Sequence, residues 1–167
     1  MRVLFCTSQL PGAVMIRAVT WSDWSHVALV DGDEVIEATW PAVCVTPLAD
    51  VIAKHSAHVI IDLPCRSSVE VVAAARSQVG KGYDLTALFG LLTRRDWQEP
   101  DKWFCSELVA WAFSQGGSPL FRPEAMHRIT PQHLWMLAPV PPPPDLVFFP
   151  TTEGRLSRPS SFLESSK

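Results

Sequence analysis

Two runs of β-branched and apolar residues flank the segment Asp31-Gly32-Asp33-Glu34, and this pattern constrains the fold more than any other part of the chain. Asp-Gly between two apolar runs is the strongest short-range signal for a β-hairpin. The sequence therefore predicts strands over residues 26–30 and 35–40, joined by a tight turn. The first strand begins with the imidazole of His26, and the second carries the carboxylate of Glu37.

The register of this hairpin decides whether His26 and Glu37 meet. A two-residue loop of Asp31 and Gly32 places His26 directly opposite Glu37, with roughly 4.5 to 5.5 Å between their Cβ atoms. A four-residue loop places Glu37 diagonally from His26 on the same face, whereas a three-residue loop turns the carboxylate to the other face. Two of the three registers thus predict a pair in which the carboxylate orients the imidazole and stabilises its charged form. An ordinary cross-strand polar pair is the alternative interpretation of Glu37.

A second distinctive segment, Trp103-Phe104-Cys105-Ser106-Glu107-Leu108-Val109, opens a predicted helix far downstream. Apolar residues at i+3, i+4, i+7 and i+8 from Cys105 predict an amphipathic helix that ends at Gly116-Gly117, with the sulfur at the start of its core-facing stripe. Burial of a free cysteine for packing alone is the alternative interpretation. In the first turn, however, the helix dipole favours a thiolate, and the free N–H groups there can hold an oxyanion. Together with an imidazole base, such a thiol is the nucleophile of thiol hydrolases and acyltransferases.

Three aromatic residues are candidates for a supporting role. Tyr83, the only tyrosine, lies in a glycine-flanked loop upstream of the cysteine helix, where its phenol could donate to an oxyanion or its ring could simply pack. Trp21 and Trp24 precede His26 and are predicted to line an apolar cleft that binds substrate, although tryptophans mostly indicate core.

The cysteines and the other histidines give no metal signal. Cys6, Cys44, Cys65 and Cys105 lack CxxC spacing, so free thiols are expected. His55 and His58 do not combine with Cys44 or Cys65 in any recurring ligand spacing, so neither a metal site nor a cofactor is predicted.

Hydrophobic periodicity and turn residues predict the remaining elements. Strands are expected over residues 3–7, 43–46, 58–63 and 146–149, and helices over residues 11–19, 47–54, 67–79, 85–92 and 131–137. Thr130 and Pro131 are expected to cap the last of these helices at its start. Residues 1–150 are predicted to form a single domain, and residues 151–167 a peripheral Ser- and Arg-containing tail.

Composition limits the classes of partner. Hydrophobic residues at 47% and charged residues at 19% are typical of a folded globular protein. The net charge of -3 and the absence of a Lys/Arg cluster argue against a general nucleic-acid binder. No signal peptide or membrane-spanning segment is recognised, so a cytoplasmic location is expected.

Taken together, the motifs SHVALVDGDEVIEATW, GKGYDLTALFG, WFCSELVAWAF and ITPQHLW resemble the circularly permuted, YiiX-like branch of the NlpC-type papain-like cysteine hydrolases, over about residues 20–137. In that branch the histidine strand precedes the cysteine helix, as it does here. The resemblance implies an α+β fold in which an antiparallel sheet or small barrel packs on the nucleophile helix. It also implies that Cys105 is the nucleophile, His26 the general base, Glu37 the residue that orients the histidine, and Tyr83 an oxyanion-side donor.

The expected activity is that of a cysteine amidase or peptidase acting on cell-wall-type or other small peptides through a thioester acyl-enzyme. A lipid acyltransferase or thioesterase of the lecithin:retinol acyltransferase-like type is the first alternative. A non-catalytic binding domain on the same fold is the second. The expected partner is thus a small peptide or acyl substrate.

Overall fold

The computed structural model describes residues 1–84 and 102–139, and its centre is a five-stranded antiparallel sheet in the order β4-β3-β2-β1-β5. The strands are β1 (Arg2–Thr7), β2 (His26–Asp31), β3 (Glu34–Ala38), β4 (Val43–Pro47) and β5 (Ala57–Asp62). A short parallel pair, β6 (Gly82–Tyr83) and β7 (Lys102–Trp103), was not predicted from the sequence. The α+β class with an antiparallel sheet is confirmed.

The helices are α1 (Pro11–Thr20), α2 (Leu48–Ala53), α3 (Ser68–Arg76), α4 (Cys105–Gln115) and α5 (Pro131–Trp135), with a 3₁₀ helix over Pro123–Arg128 before α5. The predicted caps are confirmed. The Thr130 hydroxyl accepts a hydrogen bond from the backbone N–H of His133, and Pro131 occupies the first turn of α5, where its missing N–H breaks no helical bond. Gly116 is the C-cap of α4.

The hairpin between β2 and β3 forms in one of the three anticipated registers. Val30 pairs with Val35, which is the register of the four-residue loop, and not with Asp33 as a loop of Asp31 and Gly32 requires. Asp31 and Glu34 then close the ladder, so the turn proper is Gly32-Asp33. Gly32 has φ 61°, and two-residue hairpin turns require this left-handed conformation at their first central residue. The prediction that His26 lies directly opposite Glu37 was therefore wrong, and the prediction that the two residues share a face of the sheet is confirmed.

The sheet is covered on both faces. Side chains alternate along each strand, so one set lies on one face of the sheet and packs with Val51 of α2. This set is Leu4, Cys6, Ala28, Val30 and Val35. The larger core on the other face joins the sheet to α3, α4 and α5. Helix α4 has eight buried residues, from Cys105 through Phe113, and at its end a Cβ on Gly116 would lie 2.6 Å from the Val71 side chain. The helix that carries the thiol is thus held by close packing.

Several predicted elements lie outside the described residues: the helix over residues 85–92, the strand over residues 146–149 and the tail of residues 151–167. The boundary of the single domain at residue 150 stays a prediction for the same reason. Within residues 1–84 and 102–139, none of the helices is long and apolar enough to span a bilayer.

Candidate active site

The first strand of the hairpin places His26 next to Glu37. His26 Nε2 lies 2.7 Å from Glu37 Oε2, and the two side chains are 14% and 8% exposed. The diagonal register leaves both side chains on the α2 face of the sheet, close enough for a short hydrogen bond at the end of β2. The carboxylate therefore occupies one ring nitrogen of the imidazole.

Cys105 is the second group that interacts with the imidazole of His26. Burial alone would lower the pKa of His26, but the hydrogen bonds to Cys105 and Glu37, with the charges on both groups, raise it to about 10. The structure thus brings His26 and Glu37 into contact, with Cys105 near enough to affect the charge of the imidazole, and it favours the cationic form of His26.

Burial and the interaction with His26 also act on the pKa of Glu37. Its burial acts to raise the pKa of the carboxyl, whereas the hydrogen bond and charge of His26 lower it further than burial raises it. Smaller contributions in the same direction come from Thr46 of β4 and from His55, which follows α2. The pKa of Glu37 is therefore held below its usual value, and the carboxylate stays charged beside the imidazole.

Cys105 is the first residue of α4 and is 1% exposed. The hydrogen-bond ladder of the helix begins with Leu108 N donating to Phe104 O, so the N–H groups before it are not used by the helix itself. The next residue, Ser106, donates its hydroxyl to Ile129 O at 2.5 Å, which ties this turn to the segment before α5. The thiol therefore lies where the helix dipole is positive and the backbone is fixed.

Backbone pairing brings Tyr83 to the thiol. Tyr83 of β6 pairs with Trp103 of β7, two residues before Cys105, and Tyr83 N donates to Pro41 O at 3.0 Å. Burial raises the pKa of the Tyr83 phenol, and the nearby Cys105 contributes in the same direction. The phenol is thus kept neutral, as a hydrogen-bond donor must be.

A second pair of acidic residues, Asp84 and Glu107, lies near the start of α4, and it was not singled out from the sequence. Glu107 is 3% exposed and its Oε2 accepts from Phe104 N at 3.3 Å, while Asp84 is fully buried. Burial raises the pKa of Glu107 to about 7; the backbone hydrogen bond opposes this shift and the charge of Asp84 adds to it. The motif spacing already contained the signal, since Asp84 follows Tyr83 and Glu107 follows Cys105 by two residues.

A cavity of about 580 Å³ opens beside the imidazole. Its lining includes His26, Glu37 and Tyr83 from the predicted site, together with residues in or next to α1, β4 and α2, among them Leu10, Ile16, Trp40, Cys44, Lys54 and His55. Cys105 does not line it, and the sulfur is covered. A reaction at this sulfur therefore requires that the side chains covering it move.

The two tryptophans predicted to bind substrate lie elsewhere. Trp21 is 91% exposed at the end of α1, and Trp24 packs against Phe5 and Trp135. The exposed tryptophan on the cavity beside His26 is Trp40. Substrate contact by Trp21 and Trp24 stays a prediction, because no substrate defines the cleft.

The other cysteines differ from Cys105 in their surroundings. Burial and the charge of Glu37 raise the pKa of Cys6 to about 12, which keeps it a thiol. All four cysteines are free. Among the described residues, no group of three or more His, Cys, Asp or Glu is placed to hold a metal ion.

A thiol at the start of a helix, packed on an antiparallel sheet that carries a His–Glu pair, is the arrangement of the papain-like cysteine hydrolases. The order along the chain, histidine before cysteine, is the permuted one. The chain belongs to the C92 family of permuted papain-like amidase enzymes, which includes YaeF and YiiX. The model of this family matches residues 2–165. No curated protein matches the chain.

A solved structure is also similar, that of the metalloprotein YiiX from Escherichia coli O157:H7. The two chains are 25% identical, the match covers 69% of this chain and 64% of YiiX, and the TM-score is 0.56. This chain therefore matches less than two thirds of the length of that protein. The likeness supports the permuted papain-like fold.

Proposed function

We propose that this protein is a cysteine amidase that cleaves small peptides through a thioester on Cys105. The observation that carries the proposal is that one imidazole, His26, contacts the carboxylate of Glu37 at 2.7 Å and interacts with Cys105 at the start of α4. Glu37 contacts Nε2, so Nδ1 can hold a proton from sulfur while the carboxylate stabilises the positive charge of the ring. A structural cysteine needs neither partner.

The proposed reaction has two halves. The raised pKa of His26 favours an ion pair in which the proton of Cys105 already lies on the imidazole; the thiolate attacks the carbonyl carbon, forming the C–S bond and an oxyanion that the first N–H groups of α4 and the Tyr83 phenol stabilise. The C–N bond then breaks as His26 returns the proton to the leaving amine. In the second half His26 takes a proton from water, the hydroxide attacks the thioester, and the carboxylic acid and the free thiol are released.

Cell-wall-type peptides are the substrate class that we propose first. The family description names amidases, and the cavity beside His26 combines polar walls from β4 and α2 with an apolar wall from α1, as a short peptide requires. A second candidate is transfer or hydrolysis of acyl esters or thioesters. It is favoured by the apolar side chains of Leu10 and Trp40, each 68% exposed, at the cavity.

Trapping the acyl-enzyme tests both candidates. The protein is incubated separately with muropeptides and with short-chain acyl thioesters, quenched in acid, and analysed by mass spectrometry for an adduct on Cys105. We expect an adduct and turnover with the muropeptides, and their loss in Cys105→Ala. Cys44→Ser is the matched control, because Cys44 also lines the cavity but has no imidazole partner, and it should retain both.

The pattern of adducts decides between the candidates. An adduct with thioesters alone favours acyl transfer. Turnover that survives in Cys105→Ala, or an adduct that forms on Cys44 instead, contradicts the proposed nucleophile.

A further inference from the structure

The cavity beside His26 carries more positive than negative charge on the described residues that line it. Among these residues Glu37 supplies the only carboxylate, and it already contacts Nε2 of His26 at 2.7 Å. Lys54 lines the same cavity and adds a second cation, while burial raises the pKa of the Tyr83 phenol and keeps it neutral. The whole chain has a net charge of -3, so this excess of positive charge belongs to the cavity and not to the surface in general.

The ammonium group of Lys54 is not neutralised by another part of the described chain. Lys54 is the exposed C-cap residue of α2, and it forms no ion pair within residues 1–84 and 102–139. Asp50 lies four residues earlier, at the spacing that suits an ion pair on a helix, yet the pair does not form. A cation at this end of a helix also interacts with the helix dipole, which is the alternative explanation of Lys54. That interaction leaves the ammonium group available to an anion in the cavity.

The end of α2 places Lys54 on the same side of the cavity as the base. Lys54 N donates to Val51 O at 3.3 Å, which fixes the backbone of this residue. The next residue, His55, has its ring centroid 5.8 Å from that of His26, a distance that two residues of an extended peptide span. The four-carbon stem of a lysine is flexible, so its ammonium group can follow a ligand bound there. A charged group one or two residues from the scissile bond is therefore within the reach of Lys54.

The proposed reaction decides which half of the substrate meets Lys54. His26 returns a proton to the leaving amine, so the leaving group lies against the imidazole. The acyl half remains on Cys105 as the thioester, at the start of α4. An amino acid or short peptide that leaves as the amine carries its own carboxylate close to the nitrogen. This carboxylate is an anion of the kind that the positive cavity favours.

We propose that Lys54 is a specificity-determining residue, whose ammonium group binds a carboxylate on the leaving group. The substrate class is then an acyl amino acid or short peptide in which a free carboxylate follows the scissile amide. This inference rests on the proposed function, since it concerns the leaving group of the same reaction. Lys54 transfers no proton and takes no part in breaking the bond.

A matched pair of thioesters tests the inference without a natural substrate. The N-acetyl-alanyl thioesters of mercaptoacetate and of mercaptoacetamide have the same acyl group and leaving groups of nearly equal size, but only the first leaving group carries a carboxylate. For each thioester, kcat/KM is measured with the full-length protein at about pH 7 by chromatography of the released thiol. The ratio of the two values, carboxylate over amide, does not depend on the amount of active protein.

Three substitutions separate the charge of Lys54 from its size. Lys54→Met removes the charge and keeps most of the stem, Lys54→Arg keeps the charge, and Lys54→Glu reverses it. We expect the ratio to fall about two- to fivefold in Lys54→Met, the size expected for an exposed ion pair, and further in Lys54→Glu. Lys54→Arg should retain most of the ratio. High salt should lower the ratio of the unmodified protein, because it screens exposed charges.

Arg66→Met is the matched control. It removes one positive charge from an exposed position that does not line the cavity, so it should retain the ratio. The same fall in Arg66→Met as in Lys54→Met overturns the inference, because the net charge of the protein would then be the cause. An equal ratio in Lys54→Met and the unmodified protein also overturns it, including the case in which both kcat/KM values fall alike, since Lys54 would then act only on the structure of α2.

Alkylation of Cys105 by iodoacetamide tests the proposed function separately. The rate of adduct formation is measured by mass spectrometry at about pH 6, where ordinary thiols are mostly protonated. Rapid alkylation with hydrolysis of both thioesters and an unchanged ratio in Lys54→Met contradicts the inference alone. If Cys105 reacts no faster than an ordinary thiol, or if neither thioester is hydrolysed, the proposed function is contradicted and the inference with it.

Discussion

Two buried glutamates lie near Cys105, and their carboxyl groups behave in opposite ways. Glu37 is 6% exposed and Glu107 is 3% exposed, so burial raises the pKa of both. The pKa of Glu37 nevertheless falls below its usual value because His26 donates to it at 2.7 Å. The pKa of Glu107 rises to about 7 because burial and the charge of Asp84 act together.

The difference shows that the partner, more than the depth of burial, sets the protonation of a carboxyl group here. The positive charge of His26 stabilises the buried carboxylate of Glu37. Near the start of α4, a second acid favours a proton on Glu107. The cationic His26 can therefore stabilise a thiolate on Cys105, while a protonated Glu107 adds little negative charge near the start of α4.

Removal of His26 should have the largest effect, because it converts the environment of Glu37 into one like that of Glu107. In His26→Ala we expect turnover of any substrate that acylates Cys105 to fall by about 10²- to 10⁴-fold. Alkylation of Cys105 should then follow pH as in an ordinary thiol. Steady-state kinetics and the iodoacetamide profile measure the two effects.

His58→Ala is the control for this prediction, since His58 is an exposed histidine on the edge strand β5. It should leave both the turnover and the alkylation profile unchanged. An unaltered profile in His26→Ala would show that the imidazole does not activate the thiol.

Removal of the charge on Glu107 should alter stability rather than chemistry. The pKa of about 7 in the folded protein exceeds the usual 4.5, so the folded state binds more protons between these values and stability falls as pH rises through them. The full difference corresponds to about 3 kcal/mol. Glu107→Gln keeps an acceptor for Phe104 N and should remove this slope from urea unfolding measured between about pH 4 and pH 8.

Two variants sharpen the test of Glu107. Asp84→Asn should lower the pKa of Glu107 and move the slope to lower pH. Glu70→Gln, at an exposed position in the first turn of α3, should leave the slope in place. A slope that persists in Glu107→Gln assigns it to another group.

The Glu37→Gln variant tests whether the charge of Glu37 or its hydrogen bond orients His26. The amide can still bond to Nε2, but without the carboxylate the pKa of His26 should fall, and each unit of that fall reduces the imidazolium by about tenfold relative to the neutral ring. We expect slower alkylation at low pH by about tenfold or more. Equal rates for Glu37→Gln and the unmodified protein would mean that the hydrogen bond alone suffices.

The pH dependence of stability gives a second measurement of the same pair. The raised pKa of His26 means that its contribution is fully present below its usual value of 6.5 and is lost as pH rises through about 10. The lowered pKa of Glu37 means that its contribution is present above 4.5 and is lost as pH falls below that value. Glu37→Gln should reduce stability most between these limits.

The smallest loss of stability is expected at an exposed ion pair whose N···O distance is similar to that between His26 and Glu37. Arg76 of α3 contacts Asp31 at 2.7 Å and Glu34 at 2.6 Å, and all three side chains are more than a third exposed. Solvent screening should limit the loss of stability in Arg76→Ala to about 1 kcal/mol or less, and high salt should reduce it further. Urea unfolding at low and high salt, with Arg66→Ala as an exposed control, would show whether burial strengthens the His26–Glu37 contact.

Local sequence signals predicted much of the fold. The Asp-Gly signal, the Thr130 cap and the glycines after α4 act within a few residues, so the hairpin and the ends of these helices follow from nearby chemistry. The hairpin register was narrowed to alternatives but not chosen, because both the two- and the four-residue loops keep the apolar residues on the correct faces.

The sequence by itself determined which residue types carry chemistry, and it limited the hairpin to three registers, two of which place His26 and Glu37 on the same face of the sheet, since alternation along a strand is a local property. Only the tertiary structure decided that Cys105 interacts with His26 and that Asp84 lies near enough to Glu107 for their charges to interact. These contacts join segments far apart in the chain, and they depend on how α2, α4 and the β6–β7 pair pack around the sheet. Packing of that kind is a global outcome of burying apolar surface, which spacing along the sequence does not encode.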